Sequence, residues 1–454
     1  MALQSINPFN NQLEAEFEEH SDAYVQSALE RSETVFQAWS AESFSNRSKL
    51  FIRLAEYLKE QKEYLATLMT LEMGKTINEG IAEVEKCAWV CEYYAENGEK
   101  FLKDEPLSVD TGKAFISYEP LGCILAVMPW NFPLWQVFRF AAPSLMAGNT
   151  GMLKHASNVP QCAQAIETAF IEAGFPVGVF QNLLISSSKV EALINDDRIK
   201  AVTLTGSELA GSKVAEAAGR NIKTTVLELG GSDPFIVLSD ADLDRTARIA
   251  AKARMINCGQ SCIAAKRFIV VERVYEEFLS RFTAHIKTYV PGDPGLKTTN
   301  CGPMVSQKAA KELAGQVSES VKKGAKIHVG RQYVDSEGAF FQPTILTEVK
   351  KGMAAYDEEL FGPVASVIRV KNVEEAIEVA NDSRFGLGGS VWTQDKDLGL
   401  QVARRVKTGA MFVNQMVASD PRLPFGGIKK SGYGRELSHL GIREFVNQKT
   451  IVVA

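Results

Sequence analysis

From about Pro120 onward, short apolar runs rich in β-branched residues alternate with amphipathic helical stretches. Residues 123–128, 150–153, 181–185 and 201–204 have the length and composition of strands, and 141–147, 161–173 and 209–218 read as the helices between them. Strands linked through helices lie parallel, because a crossover of that length carries the chain back to the same end of the sheet. The pattern then starts afresh: residues 234–238 and 268–271 are apolar runs separated by a helical stretch over 243–255, and the alternation continues through 365–370, 373–381, 389–392 and 409–413. Gly231 to Pro234 breaks the two series and marks a domain boundary. Residues 21–99 carry apolar side chains at helical spacing, as in Leu50, Leu54, Leu58, Leu65 and Leu68. The expected fold class is α/β with more than one sheet. The last apolar run, residues 450–453, has a strand edge to cover, either in a second subunit or in its own chain.

Composition narrows the function. A chain of 454 residues is long for one core, so two or three domains are expected. A net charge of -5 speaks against nucleic-acid binding, which favours a basic excess. Apolar stretches such as residues 123–130 are far too short to cross a bilayer, and the N-terminus lacks the pattern of a secretory signal. Seven cysteines in a chain of this size do not make a disulfide framework; reduced thiols and a cytoplasmic location are the expectation. There is no C-x-x-C pair, the five histidines are scattered, and no metal is expected.

Several short segments carry the residue types of a reactive site. Cys262 ends Asn257-Cys258-Gly259-Gln260-Ser261-Cys262, where Gly259 permits a tight turn that presents a thiol; the alternative is a structural cysteine. Glu228 ends an apolar run before Gly230 and Gly231, at the end of a strand where open α/β sheets bind ligands; there burial would raise its pKa and suit it to general-base work. Asn131 sits in the rigid loop Pro129-Trp130-Asn131-Phe132-Pro133, as an oxyanion donor or a turn-capping amide. Lys154 and Ser157 follow one strand, and Thr205-Gly206-Ser207 follows another and opens a helix, whose free N–H groups suit a phosphate. The dinucleotide fingerprint G-x-G-x-x-G is absent.

Taken in order, these segments resemble the aldehyde dehydrogenase superfamily. The likeness rests on Pro129 to Pro133, Gly174-Phe175-Pro176-Val177-Gly178, Thr205-Gly206-Ser207, Glu228-Leu229-Gly230-Gly231, Gly259-Gln260-Ser261-Cys262, Glu359-Leu360-Phe361-Gly362-Pro363 and Pro424-Phe425-Gly426-Gly427, and so covers nearly the whole chain. It implies a Rossmann-like cofactor domain over 1–101 and 121–232, an α/β catalytic domain over 233–430, and an oligomerisation region over 102–120 with 431–454 that forms a homodimer or homotetramer. It further implies that Cys262 attacks the aldehyde carbon, that Asn131 and the Cys262 N–H hold the oxyanion, and that Glu228 activates water to hydrolyse the thioester. Trp130, Lys154, Ser157, Gly206, Ser207, Leu229, Glu359 and Phe361 are the implied contacts of NAD or NADP.

Two finer expectations follow from the resemblance. NAD-preferring members commonly carry Glu where this chain has Ser157; without that carboxylate, and with Lys154 nearby, a 2′-phosphate is not repelled and NADP is the expected cofactor. Arg139 occupies the place where members resembling succinate-semialdehyde dehydrogenases grip the substrate's far carboxylate, with Ser419 adding a hydrogen bond. Where some of these enzymes have a second Arg, six residues before the cysteine, this chain has Ile256. The leading expectation is therefore oxidation of succinate semialdehyde. A broad aliphatic or aromatic aldehyde dehydrogenase is the alternative within that class. A cofactor-free cysteine acyltransferase or hydrolase is the alternative outside it, disfavoured because no histidine is placed to pair with Cys262. Cys258, four residues from Cys262, is a possible partner for it in a disulfide if the two come close enough.

Overall fold

The computed structural model describes residues 3–330 and 337–454. Four helices open the chain after an N-terminal hairpin, at Asp22–Ser40, Phe44–Glu60, Lys62–Met73 and Ile77–Phe101. Ser21 and Ser43 cap the first two by accepting from the N–H groups of Tyr24 and Asn46. Lys62–Met73 stops at Gly74, whose φ of +76° turns the chain left-handed.

Two large sheets follow. One runs Gly432–Tyr433, Thr224–Glu228, Ile199–Thr205, Cys123–Met128, Thr150–His155, Phe180–Asn182; its strands are parallel except Gly432–Tyr433. The other runs Lys326–Val329, Thr344–Thr347, Val364–Val370, Ala265–Val271, Asp233–Val237, Ser390–Trp392, Phe412–Val413, parallel except at Lys326–Val329. Each sheet buries apolar residues against helices on both faces, which is why its central strands read as unbroken apolar runs. A third sheet, antiparallel, orders Val446–Val453, Lys113–Pro120, Glu105–Leu107. The terminal strand thus pairs within its own chain, along the whole of Lys113–Pro120.

Several boundaries depart from expectation, among them the expected run 409–413, a strand only over Phe412–Val413; two have a clear physical cause. The apolar run 181–185 forms a strand only over Phe180–Asn182; Leu183 and Ile185 are buried by packing beside the helix Val190–Asn195 instead. The helix expected at 141–147 begins at Trp135. All twelve of its residues are buried, so no polar stripe marks where it starts. Among the described residues no helix is long and apolar enough to cross a membrane.

Candidate active site

Strand register brings the singled-out segments to one edge. Val127 lies beside Lys154 on one side and Leu204 on the other, and Thr205 lies beside Glu228. The loops carrying Trp130 and Asn131, Ser157, Gly206 and Ser207, and Leu229 therefore all leave from the carboxyl ends of neighbouring parallel strands, the edge where such sheets bind ligands.

At this edge the helix Glu208–Arg220 opens towards solvent. Ser207 caps it through the Ala210 N–H, and the Gly206 N–H donates to the Glu228 carbonyl. A Cβ on Gly206 would meet nothing nearer than Leu204 at 3.6 Å, so the backbone is open to close approach. Gly211 lets the first turn settle on Leu229, whose methyl carbon would lie 2.6 Å from a Cβ there. Ser157 is exposed and Lys154 buried, and burial lowers the pKa of Lys154. Beyond them Trp130 and Phe361 meet edge to face at 5.7 Å and line, with Glu359, a cavity of about 520 Å³. Glu359 accepts from the Gly231 N–H, joining the segments 228–231 and 359–363. An open helix N-terminus, bare glycine backbone and an aromatic-walled cavity fit a dinucleotide.

The turn before Cys262 is strained. Asn257, Cys258 and Gly259 take φ of 51°, 51° and 73° in succession, costly for the two that are not glycine. Bonds from elsewhere hold them. The Asn257 N–H donates to Glu79, and its side-chain amide donates to the carbonyls of Asn131 and Gln260. Arg254 donates to the Gly259 carbonyl at 2.6 Å. Lys266 donates to the carbonyls of Ser261, Cys262 and Ala264 and lies 3.3 Å from Glu359. The Asn131 amide donates to the Gln260 carbonyl at 3.2 Å, two residues from the thiol.

The Asn131 loop is clamped from behind by groups that sequence reasoning missed. Lys75 donates to the Asn131 carbonyl at 2.9 Å and forms a buried ion pair with Glu83. Glu83 in turn accepts from the N–H groups of Leu134 and Trp135, at the start of the buried helix. His155 bonds the Pro133 carbonyl through Nε2 and accepts the Ala156 N–H on Nδ1, so the ring is neutral with its proton on Nε2; burial drops its pKa to about 4.

Glu228 is 2% exposed, and neither of its oxygens has a hydrogen-bond partner among the described residues. Burial pushes its pKa up to about 8, with the Glu436 charge adding to the rise and Arg139 and Arg435 opposing it; the Gly427 N–H favours the charged form from outside hydrogen-bond geometry. Cys262 retains a partly exposed face, but its surroundings push the thiol up to about 12, against the pull of Arg139 and Lys266. Glu228 is itself among the charges that act on the thiol, and the Cys262 carbonyl would lie 2.7 Å from a Cβ on Gly231. Residues 228 and 262 thus lie in one neighbourhood.

Cys262 also borders a second cavity, of about 400 Å³, together with Trp135, Arg139, Ile256, Ser419 and Lys86. Arg139 is 1% exposed, paired with the buried Glu436 and stacked over Phe425. The sequence offered no sign of this pairing, because Glu436 lies almost three hundred residues on. Cys258 has its sulfur 3.4 Å from that of Cys301, a residue sequence reasoning had not matched with it.

The comparisons with known proteins agree with this geometry. The sequence profile of the aldehyde dehydrogenase family matches residues 1–451. A probable succinate-semialdehyde dehydrogenase [NADP(+)] of Synechocystis sp. is 52% identical over 454 residues, covering 100% of both chains. The succinate-semialdehyde dehydrogenase [NADP(+)] 1 of Mycobacterium tuberculosis is 48% identical over 457 residues, again covering 100% of both. The crystal structure of a succinic semialdehyde dehydrogenase from Streptococcus pyogenes, in complex with NADP+, superposes with a TM-score of 0.98 at 40% identity and covers 100% of each chain. With its amide and carboxylate at the edge of one sheet, its cysteine brought against them from the turn before a strand of the other, and a match of this extent, the chain belongs to the aldehyde dehydrogenase family.

Proposed function

We propose that this protein oxidises succinate semialdehyde to succinate with NADP, and accepts NAD less well. The observation that carries this reading is that Asn131 is tied to the turn before Cys262 and a buried, partnerless Glu228 lies close enough for its charge to act on the thiol, which itself borders a cavity. The names of the relatives supply the substrate and the cofactor.

When bound, the oxidised nicotinamide supplies the acceptor for a hydride. The chain's own residues do the rest. Cys262 Sγ bonds to the aldehyde carbon, the C=O π pair moves onto the oxygen, and the thiol proton passes to water. The free side-chain N–H of Asn131 and the Cys262 backbone N–H stabilise the negative oxygen, each donor contributing about 3 kcal/mol. Loss of hydride from that carbon leaves a thioester on Cys262. Glu228, deprotonated, takes a proton from water, whose oxygen attacks the thioester carbon and releases the acid and the thiolate. Gly206, Ser207 and the first turn of Glu208–Arg220 would hold the diphosphate, with Leu229 packed beneath that turn; Lys154 and Ser157 would hold the adenosine ribose and its 2′-phosphate; Glu359 would hold the nicotinamide ribose, with Trp130 and Phe361 as walls. Arg139 and Ser419 face the aldehyde's far end.

The same reading takes 1–101 with 121–232 as the cofactor domain, 233–430 as the catalytic domain, and 102–120 with 431–454 as the region that joins subunits into a homo-oligomer; the exposed Val452 and Val453 on an edge strand support the last. Seven unbridged cysteines support a cytoplasmic setting. The test is to follow the formation of reduced nicotinamide with succinate semialdehyde and either cofactor. Turnover that favours NADP and vanishes in Cys262→Ala is expected; undiminished turnover in Cys262→Ala would overturn the reading.

A further inference from the structure

A buried cation lies behind the turn that carries the thiol. Lys266, the second residue of the strand Ala265–Val271, is 1% exposed. Burial lowers its pKa, while Glu359, at 3.3 Å, and Asp233 oppose the loss of its charge. Its ammonium donates to the carbonyls of Ser261 and Cys262, each at 2.8 Å, and of Ala264 at 3.2 Å. Three acceptors use all three of its protons, so Glu359 acts on it through charge. Arg254 and Asn257 brace the turn further back, at the carbonyls of Gly259 and Gln260. Among the described side chains, Lys266 alone grips the peptides on either side of the thiol.

The Ser261 carbonyl belongs to the same peptide as the Cys262 N–H. That peptide is planar and trans, so its C=O and N–H point in opposite directions. A cation held on the oxygen therefore fixes the direction of the N–H. It also draws electron density from the nitrogen, which makes the N–H a stronger donor. The Ala264 N–H, donating to the same oxygen at 3.2 Å, adds to that pull. At the other end the Cys262 N–H has no acceptor among the described residues, so its bond is kept for an oxygen that arrives.

We infer that Lys266 is a positioning residue: through the Ser261–Cys262 peptide it aims and strengthens the Cys262 N–H as a donor to the negative oxygen of the reaction. The inference deepens the proposed function and rests on its claim that this N–H meets the oxyanion. The peptide is oriented before any substrate enters, so no reorganisation is left for the moment of reaction. Attack on the aldehyde and attack of water on the thioester both place charge on that oxygen. Because the charge exists only after attack, the help falls on the rate more than on aldehyde binding.

The experiment compares two reactions of the same thiol. Oxidation of succinate semialdehyde with saturating NADP passes through an oxyanion; alkylation of Cys262 by iodoacetamide, in which Sγ displaces iodide, does not. The Lys266 charge also favours the thiolate, and alkylation measures that contribution by itself. In Lys266→Met, kcat should fall about tenfold more than the alkylation rate, less than the loss of a whole oxyanion donor, while the KM for the aldehyde stays within about twofold. Lys266→Gln, which keeps an N–H for one carbonyl but no charge, should recover part of the difference. If Lys266→Met does not fold, Lys266→Gln carries the comparison, with a difference of about threefold expected. Losses that match within about twofold in the two reactions, or no loss in kcat, would overturn the inference. An unaltered enzyme that oxidises no aldehyde, or does so without Cys262, would instead overturn the proposed function itself.

Discussion

Gly259 and Gly362 meet through bare backbone: a Cβ on Gly259 would lie 2.3 Å from the Gly362 carbonyl oxygen and 2.8 Å from Arg254. Two segments a hundred residues apart are thus locked together, and the turn before Cys262 is held against the loop that carries Glu359 and Phe361.

Gly259→Ala should therefore displace that turn. Its φ of 73° and the collision with backbone both disfavour a side chain. We expect a loss of about 2 kcal/mol in stability and a fall of about a hundredfold in kcat/KM. Thermal unfolding and steady-state rates check this; near-normal activity in a folded Gly259→Ala would show that the contact does not set the thiol's position.

Glu228 predicts a pH dependence. Its pKa is raised to about 8, and a general base works only when deprotonated. Hydrolysis of the thioester should speed up about tenfold per pH unit below that point and level off above it. Glu228→Gln should keep a first burst of reduced cofactor and lose most of the later turnover. Stability moves the other way. A carboxyl whose folded pKa is raised favours folding fully below its unfolded value, and that contribution is lost as pH rises through about 8. The Tm of Glu228→Gln should accordingly gain on that of the unaltered protein towards alkaline pH. A pH-independent steady state, with hydrolysis shown to be rate-limiting, would count against the base assignment.

Ser157 predicts a change of cofactor. Ser157→Glu would put a carboxylate at an exposed position of the sheet edge, just beyond the strand Thr150–His155 that carries Lys154. The KM for NADP should rise by about tenfold or more, with little change for NAD, because only NADP carries the repelled phosphate. Equal effects on both cofactors would place the 2′-phosphate elsewhere.

Cys258 and Cys301 predict a disulfide. With sulfurs 3.4 Å apart, mild oxidation by a diazene such as diamide should take two electrons and two protons from this pair. Peptide mapping should find Cys258 joined to Cys301, not to Cys262. Because Cys258 belongs to the strained turn, activity should fall and return with dithiothreitol, and Cys301→Ala should abolish the reversible part.

Much of the site was legible because it is built from strand ends and turns. Glu228, Asn131 and Gly206 each follow an apolar strand, and Cys262 follows a glycine-bearing turn, so local pattern sufficed. What could not be read came from helices packed across the cleft. Lys75, Glu83 and Lys86 look like surface charges on or between helices in the first hundred residues; only packing against 131–135 and 419 makes them part of the site. Arg139 was singled out, but its partner Glu436 was not, since an ion pair between distant segments has no spacing rule. The hairpin Leu3–Asn7 with Gln12–Phe17 escaped for another reason: its second strand is mostly exposed and too polar to alternate clearly.

The short strand Gly432–Tyr433 has a consequence for the order in which the site matures. It forms the edge beside Thr224–Glu228, and Ser431 next to it accepts the Leu229 N–H on its carbonyl and donates its hydroxyl to the Gly230 carbonyl. Glu228 is thus seated by a segment about two hundred residues further along the chain. In the proposed mechanism, a nascent chain released only as far as Cys262 holds its thiol and its dinucleotide cleft but lacks the edge that fixes the carboxylate, so it could form a thioester before it could clear one.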